Sequence, residues 1–473
     1  MTLAHPRAAL SRALTVPLIL GLVAVLPVAV AVQPGPGRHD TAYWLQLAIC
    51  GYAGTRLAAM VLTVRRRLVQ GAFWLFCYLA MGIAPLAQTV LDSTPTPVVG
   101  PRADTVLAAA LVLAGMVAFD VGALLARHRP PLRVRLAGGR AGRPPATVHR
   151  VRLYLLVALA VVGSGLLMAR VGGPGAFFTS RQEITESVAG PGVEESSQAG
   201  SALLRGFGTV PALLALLFLT RWLVTSYRAR RSPQLVALWL GLLGLNAIVN
   251  NPVTNPRYWF LTVLFSLLFT AFPRSPVMYR AALALGVAVA VVIFPYADTF
   301  RYEEGTDRPP QSESLLEPLT LKDYDQLGMI ANTISYSGSG EGHSYGRQLA
   351  GTVLFFVPRS VWQDKPEDPG TRVGEWMGMP YPNLSSPLWS ELWLDFGPVG
   401  MALGFAGIGY GAARADRRYV RRTAEGTPAG GGPGLRDGPG PVAAVAVPLV
   451  AGYSFILLRG SLLQGVGRVG VAV

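Results

Sequence analysis

Apolar residues in this chain neither alternate nor keep to one helical face; they run on for whole windows. Eleven such windows cover approximately 13–32, 42–63, 70–91, 104–126, 151–169, 202–220, 234–250, 257–272, 281–297, 396–414 and 441–459. About 20 mostly apolar residues carry a helix across the hydrocarbon core of a bilayer. The pattern predicts an all-α polytopic membrane protein with about 11 transmembrane helices (10–12). With no repeat of 20–50 residues and no internal symmetry, residues 1–473 read as a single integral membrane domain. The first window closes on Ala29, Val30 and Ala31, an A-x-A form. Its apolar run exceeds the about 7–15 residues of a signal peptide, so it is read as a span.

The polar interruptions fall into two kinds. Residues 127–150 and 415–440 are Arg/Pro/Gly-rich, too polar to pack a core, and read as basic, flexible cytoplasmic loops. The segment "NAIVNNPVTNPRYW" sets two prolines and four asparagines before Arg257, which predicts unwound backbone at an interface or cavity. A large loop follows at 298–396, between spans nine and ten. In it, "LKDYDQLGMIANTISYS" predicts a short amphipathic helix with Leu327, Ile330 and Ile334 on one side. "GRQLAGTVLFFVPRSVW" is apolar for about a dozen residues, too few to span, and reads as re-entrant or interfacial. Pro358 disfavours helix at Val357, so that segment should stop there and place Arg359 at the water boundary.

Composition agrees with the pattern: 51% of residues are hydrophobic and 14% charged. The net charge of +15 is not a nucleic-acid footprint, because the arginines follow topology. Arg7 and Arg12, Arg65 to Arg67, seven arginines from Arg127 to Arg150, Arg221 to Arg231 and Arg417 to Arg422 occupy alternate loops. The positive-inside rule then puts the N-terminus in the cytoplasm. Residues 298–396 hold fifteen acidic against seven basic side chains and should face outward. Arg56 and Asp120 fall inside spans at different expected depths, where a structural or orienting role is expected. Cys50 and Cys77, the two cysteines, read as small buried thiols.

Both lysines of the chain, Lys322 and Lys365, lie in the large loop. Arg301, Arg347, Arg359, Lys365 and Arg372 together could hold a phosphorylated ligand, the arginines as forks and the lysine as a point charge. Such a set can take the place of a divalent metal when a pyrophosphate departs, so no metal or other cofactor is expected. Glu375, Glu391, Asp395 and His343 supply candidate bases for an incoming hydroxyl. Arg170 and Arg181 lie in the polar segment between spans five and six.

"YGRQLAGTVLFFVPRSVWQDKP", "NLSSPLWSELWLDFGPVG" and "LLRGSL", in this order, resemble signatures of bacterial oligosaccharide repeat-unit polymerases, the Wzy-type O-antigen polymerase family. The resemblance covers mainly spans five to eleven. It implies a GT-C-like membrane glycosyltransferase of the bacterial cytoplasmic membrane that uses undecaprenyl-pyrophosphate-linked repeats without nucleotide sugar or metal. It places Arg359 and Lys365 at the Pro-Arg and Lys-Pro positions, Glu391 at the acid before Phe-Gly and Arg459 at the terminal Arg-Gly. On this reading Arg359, Lys365 and Arg347 hold the leaving group, Arg257, Arg301 and Arg459 complete a basic wall, and Arg181 and Arg372 join the binding set. Glu391 is the first candidate base and His343 the second. Partners would be membrane lipids, a chain-length regulator and a flippase, with no nucleic acid. An O-antigen ligase-like transferase shares the donor and differs only in acceptor. An exporter of lipid-linked sugars would want charges along a central cavity. A dolichyl-phosphate-sugar enzyme would want paired acids in the first outer loop, which holds only Asp40.

Overall fold

A computed structural model describes residues 15–63, 66–128, 147–178, 196–252, 255–288, 316–424, 438 and 440–470. Its helices are α1 (Thr15–Ala31), α2 (Thr41–Thr63), α3 (Leu68–Leu91), α4 (Arg102–His128), α5 (Arg150–Val171), α6 (Ser196–Thr225), α7 (Pro233–Val249), α8 (Arg257–Ala271) and α9 (Pro276–Ala288). After the large loop come α10 (Gln326–Tyr336), α11 (Arg347–Val353), α12 (Pro369–Trp376), α13 (Leu388–Ala424), α14 (Ala443–Arg459) and α15 (Leu462–Val469). Six helices, in α2 to α6 and α13, are long and apolar enough to cross a membrane, and α1, α7, α8 and α14 are shorter apolar helices. The window at 281–297 is described only as far as Ala288. The sole strands among the described residues are two-residue pieces, Thr147–Val148 paired antiparallel with Gly440–Pro441. This is an all-α protein of membrane type.

α3 explains the packing. It is apolar all round, and such a helix belongs inside a bundle. Trp74, Phe76, Tyr78 and Leu86 are accordingly buried, with α2, α13 and α14 packed against it. Phe73 stacks on Phe119 of α4 at 3.7 Å, and Trp389 lies on Phe405 at 4.3 Å. A second core gathers α5, α6 and α7, and both cores draw side chains from α8 and α14. Between α4 and α13 the backbones touch: a Cβ on Gly122 would overlap the Ala406 carbonyl, and one on Gly409 the Phe119 carbonyl. Small residues are what permit this closeness.

Long-range hydrogen bonds sort the connections onto two faces. On the first, Arg102 pairs with Asp40 at 2.7 Å, Gln88 donates to the carbonyls of Leu319 and Tyr324, and Asn332 receives the Val99 amide. On the second, Arg66 donates to the Pro273 carbonyl, Arg274 to that of Thr423, and Arg417 to that of Ala126. Each contact joins segments that the alternation of spans assigns to one side. The first face carries the large loop and the second the arginine-rich turns.

Three expectations are corrected by the packing. Arg56 and Asp120 do touch, at 2.5 Å, with Tyr52 donating to the same carboxylate at 2.6 Å and Arg56 lying over the Trp74 ring. An ion pair with its own hydrogen-bond donor is how a charged residue is tolerated between spans. α10 is not half-exposed. Leu327, Ile330 and Ile334 are buried, but so are Met329, Asn332 and Thr333 on the other sides. Asn332 makes this tolerable by bonding the Pro97 carbonyl and the Val99 amide. α11 ends at Val353, short of Pro358. The carbonyls of Phe355 and Val357 are taken instead by Lys365 Nζ, at 2.6 and 2.9 Å. Exposed Val353, Phe356 and Val361 keep this stretch interfacial in character.

The break before Arg257 falls between α7 and α8, and the asparagines at and beside it tie it to neighbouring segments. Asn246 bonds the Ala212 carbonyl, Asn250 that of Thr209, Asn251 that of Phe177 and Asn255 that of Val249.

Candidate functional site

α14 ends at Arg459, and the next residue, Gly460, turns with φ of 84° against the Ser386 carbonyl, where a Cβ has no room. That turn is the meeting point of the loop face. Arg459 reaches Asp323 at 3.6 Å and donates to the Lys322 carbonyl at 3.2 Å. Arg257, at the start of α8, reaches the other oxygen of Asp323 at 2.9 Å. Tyr258 lies beneath, its ring 5.4 Å from the Arg459 guanidinium carbon and its hydroxyl 3.4 Å from the Asp323 carbonyl. Two guanidinium groups thus share the Asp323 carboxylate.

Carboxylates hold the frame around the pair. Asp325 accepts from Ser385 at 2.7 Å, and burial pushes its carboxyl up despite the opposing charge of Arg459. Asp368 caps α12 through the Gly370 amide at 2.9 Å and accepts from Gln464 at 2.7 Å. Its carboxyl is raised, again chiefly by burial. Asp395 receives Ser344 and the amides of Gln348 and Leu349, which fixes the start of α11. Glu391 is buried and takes the Leu462 amide at 2.6 Å, fixing the start of α15 just beyond Arg459. In this conformation Glu391 is committed to positioning that turn.

The remaining predicted residues fall into separate neighbourhoods. Arg347, Arg359 and Lys365 come together in the α11–α12 connection. Arg347 donates to the Asp364 carbonyl, Arg359 to that of Lys365 at 3.2 Å, and Arg359 stands 3.7 Å from Glu367. The Lys365 ammonium is shifted down, by burial first and by the Arg359 charge second. Arg372 lies over the Tyr336 ring and 3.8 Å from Glu341. His343 packs edge-on to Trp393 and beside Gly397, where α13 kinks before Pro398, and its buried Nδ1 has no partner among the described residues. Glu375 is exposed. Arg181 and Arg301 lie outside the described residues.

Asp323 and Tyr258 are the parts that sequence reasoning missed. Asp323 sits 66 residues from Arg257, in a segment read only for its helical periodicity. The signal available was the acid pair flanking Tyr324, beside one of two lysines.

Below this cluster runs an apolar cavity of about 160 Å³ between α3, α8 and α9. Leu75, Leu79, Leu261, Phe265, Leu268 and Leu285 wall it. Its loop-face end is formed by Tyr258 and Tyr324, the residues next to Arg257 and Asp323.

The class these features define is an all-α membrane-type protein with an ionic cluster at the loop face, set over an apolar cavity. Comparison with known proteins adds no relative: no family model, no curated protein and no solved structure matches the chain.

Proposed function

We propose that the chain polymerises lipid-linked oligosaccharide repeats on the outer face of a bacterial cytoplasmic membrane, with about eleven spans of GT-C-like arrangement and the N-terminus inside. The observation that carries this reading is one juxtaposition. An apolar cavity suited to part of a prenyl chain ends at Tyr258 and Tyr324, directly under Arg257 and Arg459. A lipid pyrophosphate has that same order of parts, a hydrocarbon tail and then two anionic groups.

In the reaction a hydroxyl of one repeat attacks the anomeric carbon of the other. The new C–O bond forms as the bond to the pyrophosphate oxygen breaks, and the electron pair leaves on that oxygen. Arg257 and Arg459 receive the growing charge, with Asp323 yielding its place as their counter-ion. Arg359 holds the outer phosphate or the first sugars from the α11–α12 connection. His343 takes the hydroxyl proton, and Glu391 keeps the Arg459 turn in register. Purified protein given a synthetic undecaprenyl-pyrophosphate-linked repeat should produce a ladder of longer glycans. Transfer to a second lipid without a ladder would mark a ligase. Movement of intact repeats across vesicles without new bonds would mark an exporter and end the enzymatic reading.

A further inference from the structure

On the opposite face, Arg221 at the end of α6 is only 2% exposed, yet its buried Nε has no hydrogen-bond partner among the described residues. Its charged or phenolic neighbours are Tyr419 and another cation, Arg274. Arg66 stands near the same two groups. Arg66 is directed by its bond to the Pro273 carbonyl, and Arg274 by bonds to the Thr423 carbonyl at the end of α13. The buried acid in this region forms no ion pair with them. Asp416 spends its oxygens on the Val69 and Gln70 amides and the Gln70 side chain.

Arg66 on the α2–α3 turn bonds the carbonyl just before Arg274 on the α8–α9 turn, Arg221 at the end of α6 lies within electrostatic reach of Arg274, and no described carboxylate pairs with any of the three. An isolated buried cation costs several kcal/mol, and a buried guanidinium is normally paired. Snorkelling does not relieve Arg221, since almost none of it reaches the surface. The depth is that of helix ends, where lipid phosphates lie, and guanidinium forks match phosphate oxygens.

We propose that Arg221, Arg66 and Arg274 form a phosphate-binding site on the arginine-rich face. It is separate from the loop-face cluster and does not depend on the reaction proposed above. The phosphate comes either from an anionic phospholipid headgroup or from solution. Arg274 is exposed and Arg66 half-buried, so the ligand enters past them and closes on Arg221.

The full chain is reconstituted in nanodiscs of phosphatidylcholine alone, of phosphatidylcholine with phosphatidylglycerol, and of phosphatidylcholine with inorganic phosphate, and its thermal unfolding midpoint is followed. A rise with phosphatidylglycerol assigns the lipid headgroup, and a rise with inorganic phosphate alone assigns the free anion. Arg221→Met should unfold no earlier than the parent in phosphatidylcholine, because it removes an unpaired buried charge, and should lose the response. Arg274→Gln should keep the fold and weaken the apparent affinity about 10-fold or more, the worth of one charge-assisted hydrogen bond. Arg38→Gln, an exposed arginine on the loop face, should respond like the parent. The site is refuted if neither additive stabilises the parent, or if Arg221→Met and Arg274→Gln both respond as the parent does.

Discussion

Replacing Asp323 by Asn tests whether one carboxylate holds two guanidinium groups in the site. Asp323 is 12% exposed, against 10% for Arg257 and 27% for Arg459. At separations of 2.9 and 3.6 Å, Coulomb's law with an effective dielectric near 20 gives attractions of about 6 and about 5 kcal/mol before desolvation. Most of this offsets the loss of hydration already incurred by burial. The net cost of stranding a partly buried partner is about 3–5 kcal/mol. Asn keeps an oxygen that can accept from Arg257, and Arg459 is open enough for water to screen it, so the lower end, about 3 kcal/mol, is expected. Equilibrium unfolding in mixed micelles would measure it, with Arg257→Met and the double variant closing a cycle. Added pyrophosphate should restore stability to Asp323→Asn more than to the parent, because the carboxylate shared by Arg257 and Arg459 is gone. A coupling energy below about 0.5 kcal/mol with no pyrophosphate effect would refute both the shared pair and the place given to the leaving group.

Arg359→Lys keeps the charge and loses the fork, so ladder formation should fall on the order of 10²-fold at matched expression, with Arg308→Lys as control; near-normal ladders would make this stretch an interfacial anchor only. Burial raises the Asp325 carboxyl, so the folded state retains its proton to higher pH than the unfolded chain. Its contribution to stability is therefore complete below pH about 4 and is lost as pH rises through the folded value. Unfolding midpoints measured upward from pH about 4 should fall less steeply for Asp325→Asn than for the parent. Gly409→Val places a side chain against the Phe119 carbonyl and should destabilise the α4–α13 contact by about 1–3 kcal/mol, read as early unfolding or loss of the monodisperse peak.

The sequence by itself determined the helical class and the approximate place of most windows, because hydrocarbon leaves a spanning backbone no choice but to bond within its own helix. It also determined which turns share a face, through the alternation of arginine-rich and acidic loops. Contacts such as Arg66 with Pro273 and Gln88 with Tyr324 respect that alternation. The break before Arg257 was legible as well, since α7 ends at Val249 and α8 begins at Arg257. The partners that the charged residues take could not be read. Arg459 and Lys322 are 137 residues apart, and no local rule relates the end of one span to a 3₁₀ turn in a distant loop. Nor does spacing reveal that Lys365 spends its ammonium on the Phe355 and Val357 carbonyls, or that Glu391 holds the Leu462 amide. Side-chain type sets what a residue can bond. Only the packing of α8, α13 and α14 under the loop decided which partners came within reach, and which arginines, such as Arg221, were left facing one another.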